Sequence, residues 1–349
     1  MKICYLNITR EIPQRDVVYI NGLKENGVEV IEILDNSPKL KKFWHIFKKH
    51  RALNNNYDIL WVGYSAHILA PFARLISRKK IVFNALCSLY EGLIISRKQA
   101  PRFSPKAFLV WLQDFLSFHC SSLILVESEE QKKFLIKKFF LKEKKLQKAW
   151  TGVNDRDFFY NPAIKKSPVF SIIFRGGFLP ESGIEHVAEA ASLLQDENIR
   201  FRIIGTGVME DALINKLATF NSKNVEFISE KIKRVSRPEL NIKMQECHIS
   251  LGQLSDHDRL NRTIPHKAFE SMVMKIPYLT ARNKAVLELF AENETCFCCN
   301  PADSRDLADK IIWIKNNYET AQKIAENAYQ LYSRELTPKI LAKKVLELF

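Results

Sequence analysis

From Lys2 to Cys299, short runs rich in β-branched residues alternate with longer stretches of helical periodicity, and nothing else in the 349-residue chain restricts its fold as much. In the first half the strand candidates are KICYLNI (2–8), VEVIEIL (28–34), YDILWVG (57–63), KIVFNAL (80–86), SLILVES (122–128) and KAWTGV (148–153). Helical stretches separate them, among them DVVYINGLKENG (16–27), which closes on a glycine suited to a left-handed C-cap. Apolar strands that are each followed by a helix predict a parallel sheet, because crossover helices cover both of its faces. The alternation breaks once, at YNPAIKKSP (160–168), where two prolines and a lysine pair read as a linker. It restarts with VFSIIFRGG (169–177), FRIIGTG (201–207), NVEFIS (224–229), HISLGQ (248–253), IPYLTA (276–281) and ETCFCC (294–299), and three helical stretches finish the chain. The expected fold class is α/β, with two doubly wound Rossmann-like domains at 1–163 and 164–330. A helical tail, 331–349, is expected to cross back to the first domain. Sheets of this kind bind ligands beyond the carboxyl ends of their strands, which predicts a central cleft between the two domains.

The length agrees with two cores rather than one. Hydrophobic residues make up 46% and charged residues 26%, which excludes disordered, collagenous and disulfide-framework classes. The net charge of +14 is uneven: residues 1–165 hold 28 Lys+Arg against 15 Asp+Glu, and residues 166–349 hold 25 against 24. A basic first half suits a polyanionic partner, an anionic membrane surface or nucleic acid, and equally suits mere solubility. The seven cysteines have no paired or zinc-like spacing, so they read as core residues of a protein in a reducing cytoplasm. MKICYLNI reads as a strand rather than a cleavable leader. The longest apolar tract, 107–126, is interrupted by Gln113, Asp114 and His119, and predicts a buried helix followed by a strand rather than a membrane span.

Two glycine-containing strand-to-helix turns are candidates for anion binding. In FRGGFLPESGIEHVAEAA (174–191), Gly176 and Gly177 let backbone N–H groups approach a phosphate, and Gly205 and Gly207 repeat the arrangement in IIGTGVMEDAL (203–213). Neither is a complete G-x-G-x-x-G, and each alone is equally read as a tight turn. A third candidate is RTIPHKAFESMVMKIPYLTA (262–281), where a helix is expected to start with Pro265 at its entry. Free N–H groups at that exposed end, a mobile Lys267 ammonium and the Glu270 carboxylate one turn on suit a diphosphate and the hydroxyls of a ribose.

These stretches together resemble the retaining family-four glycosyltransferases of GT-B fold. The resemblance lies in GGFLPESGIEHVAEAASLL (176–194), RFRIIGTGVMEDAL (200–213), IPHKAFESMVMKIPYLTA (264–281) and ELFAENETCFCCNPADSRDLADKI (288–311). In the first half it extends over GLKENGVEVIEILDNSP (22–38), YDILWVGYSAHILAPFARL (57–75) and SLYEGLIISRK (88–98). It implies a nucleotide-sugar donor in the second domain, with Glu270 on the ribose and the base against backbone near Glu230 to Ile232. Arg262 stands where the family's first signature glutamate usually lies. Gly177 and Ser182 stand where many members carry the Arg and Lys that neutralise the diphosphate. Arg175, Arg262 and Lys267 are the candidates to replace that charge. In the first domain, His67 after GYSAH and Glu91 after KIVFNAL are candidates to orient the acceptor or the transferred sugar, and Arg10 is a weaker one. A lone histidine in such a loop is also commonly structural. The resemblance further implies front-face departure with the donor phosphate taking the proton, so no carboxylate pair of the glycosidase kind is needed, and neither is a metal or cofactor.

Two stretches mix lysines with aromatic residues, SPKLKKFWHIFKKHR (37–51) and QKKFLIKKFFLKEKKLQK (131–148). They suit an interfacial helix on anionic lipid, or an amphipathic helix whose lysines are simply solvated. No nucleic-acid module is visible. The resemblance, together with the basic charge of the first half, implies a cytoplasmic enzyme, peripheral on the inner face of the membrane, that transfers sugar to a glycan or lipid-linked acceptor in surface polysaccharide or lipopolysaccharide assembly. Its rivals are a catalytically silent subunit of the same fold and a basic adaptor.

Overall fold

The computed structural model describes residues 1–349 and divides into two compact units, Met1–Asn154 with Leu336–Phe349, and Asp155–Glu335. The division falls at 154/155 and 335/336 rather than at 163/164 and 330/331. The supposed linker belongs to the second unit because hydrogen bonds hold it there. Asn161 N donates to Gln245 Oε1 (2.7 Å), Lys166 Nζ to the Cys247 carbonyl (2.6 Å) and Ser167 N to the Glu246 carbonyl (2.9 Å).

The first unit runs β1 (Lys2–Asn7), α1 (Gln14–Glu25), β2 (Glu29–Leu34), α2 (Lys41–Ala52), β3 (Ile59–Val62), α3 (Leu69–Ile76) and β4 (Lys80–Leu86). A π-helical turn, Tyr90–Ser96, leads to α4 (Pro105–Cys120), β5 (Leu123–Val126), α5 (Glu129–Phe139) and β6 (Leu146–Lys148). Its sheet is parallel, in the order β2-β1-β3-β4-β5-β6, so the direction of winding reverses between β1 and β3. Every residue of β3 is buried, as an interior strand covered on both faces requires. Ser104 starts α4 by accepting from Ala107 N with Pro105 at the first helical position, and Ser128 starts α5 by accepting from Gln131 N. The expected strand 148–153 shrinks to β6, beyond which the Arg15 and Tyr19 side chains hydrogen-bond the carbonyls of Ala149 and Trp150.

The second unit runs β7 (Phe170–Gly177), α6 (Ile184–Leu193), β8 (Ile199–Thr206), α7 (Glu210–Thr219), β9 (Val225–Ser229), α8 (Arg237–Gln245) and β10 (Ile249–Leu251). It continues through α9 (His266–Val273), β11 (Tyr278–Ala281), α10 (Lys284–Leu289), β12 (Phe297–Cys299), α11 (Ser304–Asn316) and α12 (Tyr318–Glu335). The order is β12-β11-β10-β7-β8-β9, again parallel, with the reversal between β7 and β10. Phe174, Phe201, Leu251 and Phe297 pack beneath α6 and α11 in its core. The final helix, α13 (Pro338–Leu346), lies in the first unit against α1. It comes so close that a Cβ on Gly22 would sit 1.9 Å from the Pro338 carbonyl oxygen, while Asn26 Nδ2 donates to the Lys339 carbonyl at 2.8 Å. No helix is long and apolar enough to cross a membrane.

Candidate functional site

In the second unit the candidate site forms where the sheet reverses, at the carboxyl ends of β7, β8 and β10. Arg175, Gly176 and Gly177 end β7 in register with Ile204, Gly205 and Thr206 of β8. Gly176 and Gly205 have φ of +125° and +156°, and a Cβ on Gly205 would lie 1.9 Å from the Gly176 carbonyl oxygen. Only bare backbone allows the two strand ends to meet in this way. On the other side of β7, Gly252 follows β10, where a Cβ would lie 2.2 Å from Thr280 Oγ1.

Lys267, the second residue of α9, reaches across this reversal point. Its Nζ donates to the Gly252 carbonyl at 3.1 Å and lies 3.6 Å from the centre of the Phe174 ring. A Cβ on Gly176 would be 4.0 Å from Lys267 Cε, so the ammonium stem borders the glycine end of β7. Glu270, one turn into α9, forms an ion pair with Arg175. Lys267 is 6% exposed and Glu270 4%. The expected mobile ammonium at an exposed helix start is therefore corrected: α9 is buried from Lys267 to Val273, and Lys267 is held by a carbonyl and a ring face. Burial, followed by repulsion from Arg175, pulls its pKa well below the usual lysine value. Burial also lowers Arg175 to about 10, against the opposing pull of Glu230 and Tyr278, so its guanidinium stays charged at neutral pH.

The other predicted donor residues lie around this centre in different ways. Gly177 is exposed and meets only the Leu179 side chain, at 3.5 Å or more, so nothing occupies the space of a side chain there. Ser182 is buried and accepts from Ile184 N. Arg262 donates to Asp258 one turn earlier at 2.7 Å. Ile232 is 89% exposed, in a turn after β9 where its N–H bonds the Ser229 carbonyl.

In the first unit His67 follows β3 and Glu91 lies in the π-helical turn after β4. His67 is 1% exposed, with Nε2 3.3 Å from the Cys87 carbonyl oxygen and 3.5 Å from Asp114 Oδ1, and its ring stands edge-on to Phe83. Asp114 accepts from the backbone N–H groups of Leu89 and Tyr90 at 3.2 and 2.8 Å, which anchors the π-helical turn to α4. Burial pushes Asp114 up to about 7 and His67 down to about 4. Glu91, also buried, accepts from Gln131 Nε2 at 2.9 Å. Both side chains therefore turn into the unit rather than toward the open strand ends expected of them. Arg10 is exposed.

Several residues of the two sites escaped the sequence reading. Glu210 of α7 accepts from Thr206 Oγ1 (2.6 Å) and Ser229 Oγ (2.5 Å), tying together the ends of β8 and β9. Arg259 pairs with Glu181 at 2.8 Å, joining the loops that follow β7 and β10. In the first unit, Arg15 donates to Asn84 Oδ1 (2.7 Å), while Asp16 accepts from Tyr5 Oη (2.9 Å), Tyr64 N (2.7 Å) and Asn84 Nδ2 (2.6 Å). Asn7 and Asn84, polar residues inside otherwise apolar strands, were the available signal for that buried network. Two Asp-x-Asp spacings are also present. Asp157 pairs with Arg237 and Asp258 with Arg262, both at 2.7 Å, and Asp155 accepts from Tyr332 Oη at 2.9 Å.

Residues 155–331 match the family model described as glycosyl transferases group 1. No curated protein sequence matches the chain. Among solved structures, Anabaena Alr3699/HepE in complex with UDP and glucose is similar over 99% of this chain and 98% of its own, with a TM-score of 0.73 at 16% identity. Sucrose-phosphate synthase from Thermosynechococcus elongatus is similar over the same shares, with a TM-score of 0.76 at 12% identity. A glycosyltransferase from Rickettsia africae is similar over 99% of this chain and 97% of its own, with a TM-score of 0.69 at 14% identity. The fold of two Rossmann-like units is thus the GT-B fold.

Proposed function

The chain belongs to the group 1 glycosyl transferases, and from that premise we propose that it moves a sugar from a nucleotide-sugar donor to a glycan or lipid-linked acceptor with retention of configuration. The observation that carries this reading is the convergence of Arg175, Lys267 and Glu270 on the glycine ends of β7 and β8. Two cations beside bare backbone suit a diphosphate, and a carboxylate one turn into α9 suits the paired hydroxyls of a ribose. On donor binding Glu270 exchanges Arg175 for those hydroxyls, and Arg175 turns to the phosphates. Arg175 and Lys267 then take up the charge role that Gly177 and Ser182 do not fill. As the sugar leaves, negative charge grows on the diphosphate, where two fixed, poorly solvated cations stabilise it most. The acceptor proton passes to the departing phosphate, so the step calls for neither a protein carboxylate pair nor a metal.

Uridine is the first base to test, since Alr3699/HepE is described with UDP and with UDP-glucose. His67 and Glu91 act by holding the loops after β3 and β4 against α4 and α5, on the acceptor side. The setting we assign is surface polysaccharide or lipopolysaccharide assembly at the cytoplasmic face of a membrane. A second reading, a silent subunit that binds nucleotide or glycan without transfer, is favoured by Gly177 and Ser182 standing where many members carry a basic pair. Incubation of the purified protein with UDP-sugars and simple acceptors, without metal, separates the two. Release of UDP with a product of unchanged anomeric configuration supports transfer, whereas bound nucleotide with no release under any acceptor supports the silent subunit.

A further inference from the structure

The exposed face of α4 is apolar, the reverse of what a solvent-facing helix carries. Phe108, Leu109 and Leu116 are 58%, 63% and 43% exposed, and Phe103, just before the helix, is fully exposed. Between Ala107 and Cys120 the only formally charged residue is Asp114, which is buried on the opposite face. Phe140 adds a second anomaly at the end of α5. It has φ of +54°, a region that glycine or asparagine usually fills, and it is 76% exposed, so packing within the unit does not account for the phenylalanine.

An open groove of about 550 Å³ lies between the two helices, lined by Trp111, Phe134 and Phe140 with Lys137 and Lys138. Its floor is aromatic, its charged lining residues are both lysines, and no carboxylate lines it. That chemistry fits an amphiphile with an apolar chain and an anionic head. A second copy of the chain fits poorly, because the same two lysines would face each other across the contact. The other basic aromatic segment, 37–51, exposes Leu40 and Trp44 at 78% and 56%, but Phe43 packs on Phe72 with ring centres 5.1 Å apart and Lys48 stands over the Trp44 ring at 5.1 Å, so its exposed apolar surface is the smaller of the two.

We propose that α4 and the end of α5 form the membrane-docking face, on which Phe103, Phe108, Leu109 and Phe140 enter an anionic leaflet while Lys137 and Lys138 meet lipid phosphates. The face is independent of the donor site, so the test uses the full chain without nucleotide. Flotation with vesicles of phosphatidylcholine, alone or mixed with phosphatidylglycerol, is expected to show binding to the mixed vesicles that weakens as salt rises. Lys137→Gln with Lys138→Gln is expected to weaken that binding roughly 30-fold, because each lysine near an anionic surface contributes about a fivefold factor. Phe108→Ser with Phe140→Asn is expected to lower it at least tenfold while the melting temperature holds, since asparagine accepts the left-handed backbone more readily than phenylalanine. Trp44→Ser is expected to bind like the unaltered protein. Failure of the unaltered chain to bind anionic vesicles would overturn the proposal. So would undiminished binding by both double variants, or dimerisation in sedimentation that Phe108→Ser abolishes.

Discussion

Lys267 Nζ donates to the Gly252 carbonyl at 3.1 Å, so the side chain of one helix start closes the gap at which the second sheet reverses direction. An ammonium so placed has lost most of its water and has gained a carbonyl and a ring face, which together support its charge less well than water does. A diphosphate arriving beside it would restore that support. Lys267 has a free-state pKa well below the usual lysine value, and an anion raises it, so binding takes up protons between the two values. The expected result is that nucleotide affinity falls as pH rises through that window, and that calorimetry in buffers of different ionisation enthalpy reports net proton uptake. Lys267→Met is expected to abolish the uptake.

The His67–Asp114 pair makes a second prediction, about stability. Asp114 is raised to about 7 in the folded unit, so between its unfolded value near 4 and that point the folded state binds more protons, and stability from this group falls as pH rises. His67 is lowered to about 4, so from there to about 6.5 the unfolded state binds more protons, and stability from this group rises with pH. The two slopes oppose each other over most of this range. His67→Gln is expected to unmask the falling slope and Asp114→Asn the rising one. Denaturant melts of the three proteins from pH 4 to pH 7, compared as differences from the unaltered chain, read this directly. Parallel curves would remove the pair from the account.

Gly205→Ala tests the close approach of the β7 and β8 ends. The new methyl would lie 1.9 Å from the Gly176 carbonyl oxygen on a backbone of φ +156°, and only backbone movement relieves such a contact. A loss of roughly 2 kcal/mol in folding stability is expected, within the range for overpacked sites, with a larger loss of nucleotide affinity. Gly177→Ala is the control, since its methyl would meet only Leu179 at 3.5 Å or beyond. It is expected to leave both quantities nearly unchanged.

How much of this was legible in the sequence depended on whether a feature is local. The runs FSIIFRGG, IRFRIIGT and ISL announce β7, β8 and β10 because interior parallel strands are rich in β-branched and aromatic residues, even though Arg200 and Arg202 interrupt the second. Glu270 and Lys267 stand out for the same reason, as charges at the start of an otherwise apolar helix. What the sequence withheld was direction. Whether Lys267 faces water or the Gly252 carbonyl depends on how α9 enters the sheet, and the partner of Glu270 comes from a distant strand. Loops after a parallel strand commonly border the binding site, so the place of His67 in one suggests a residue open to ligand. Asp114, Phe83 and Phe118, brought in by other elements, turn it inward. The Arg15–Asn84 and Asp16–Asn84 contacts likewise join α1 to β4, and no local pattern marks them.

The central claim is that Arg175, Lys267 and Glu270 hold a nucleotide diphosphate and its ribose. Titration of UDP into metal-free protein, unaltered and with Glu270→Gln, tests it most directly, with melting temperatures confirming that both chains are folded. Saturable binding by the unaltered protein, weakened at least tenfold in Glu270→Gln by loss of the carboxylate from the ribose hydroxyls, is the predicted result. Equal affinity in the two proteins, or no binding of UDP or of any other nucleoside diphosphate by the unaltered one, would contradict it.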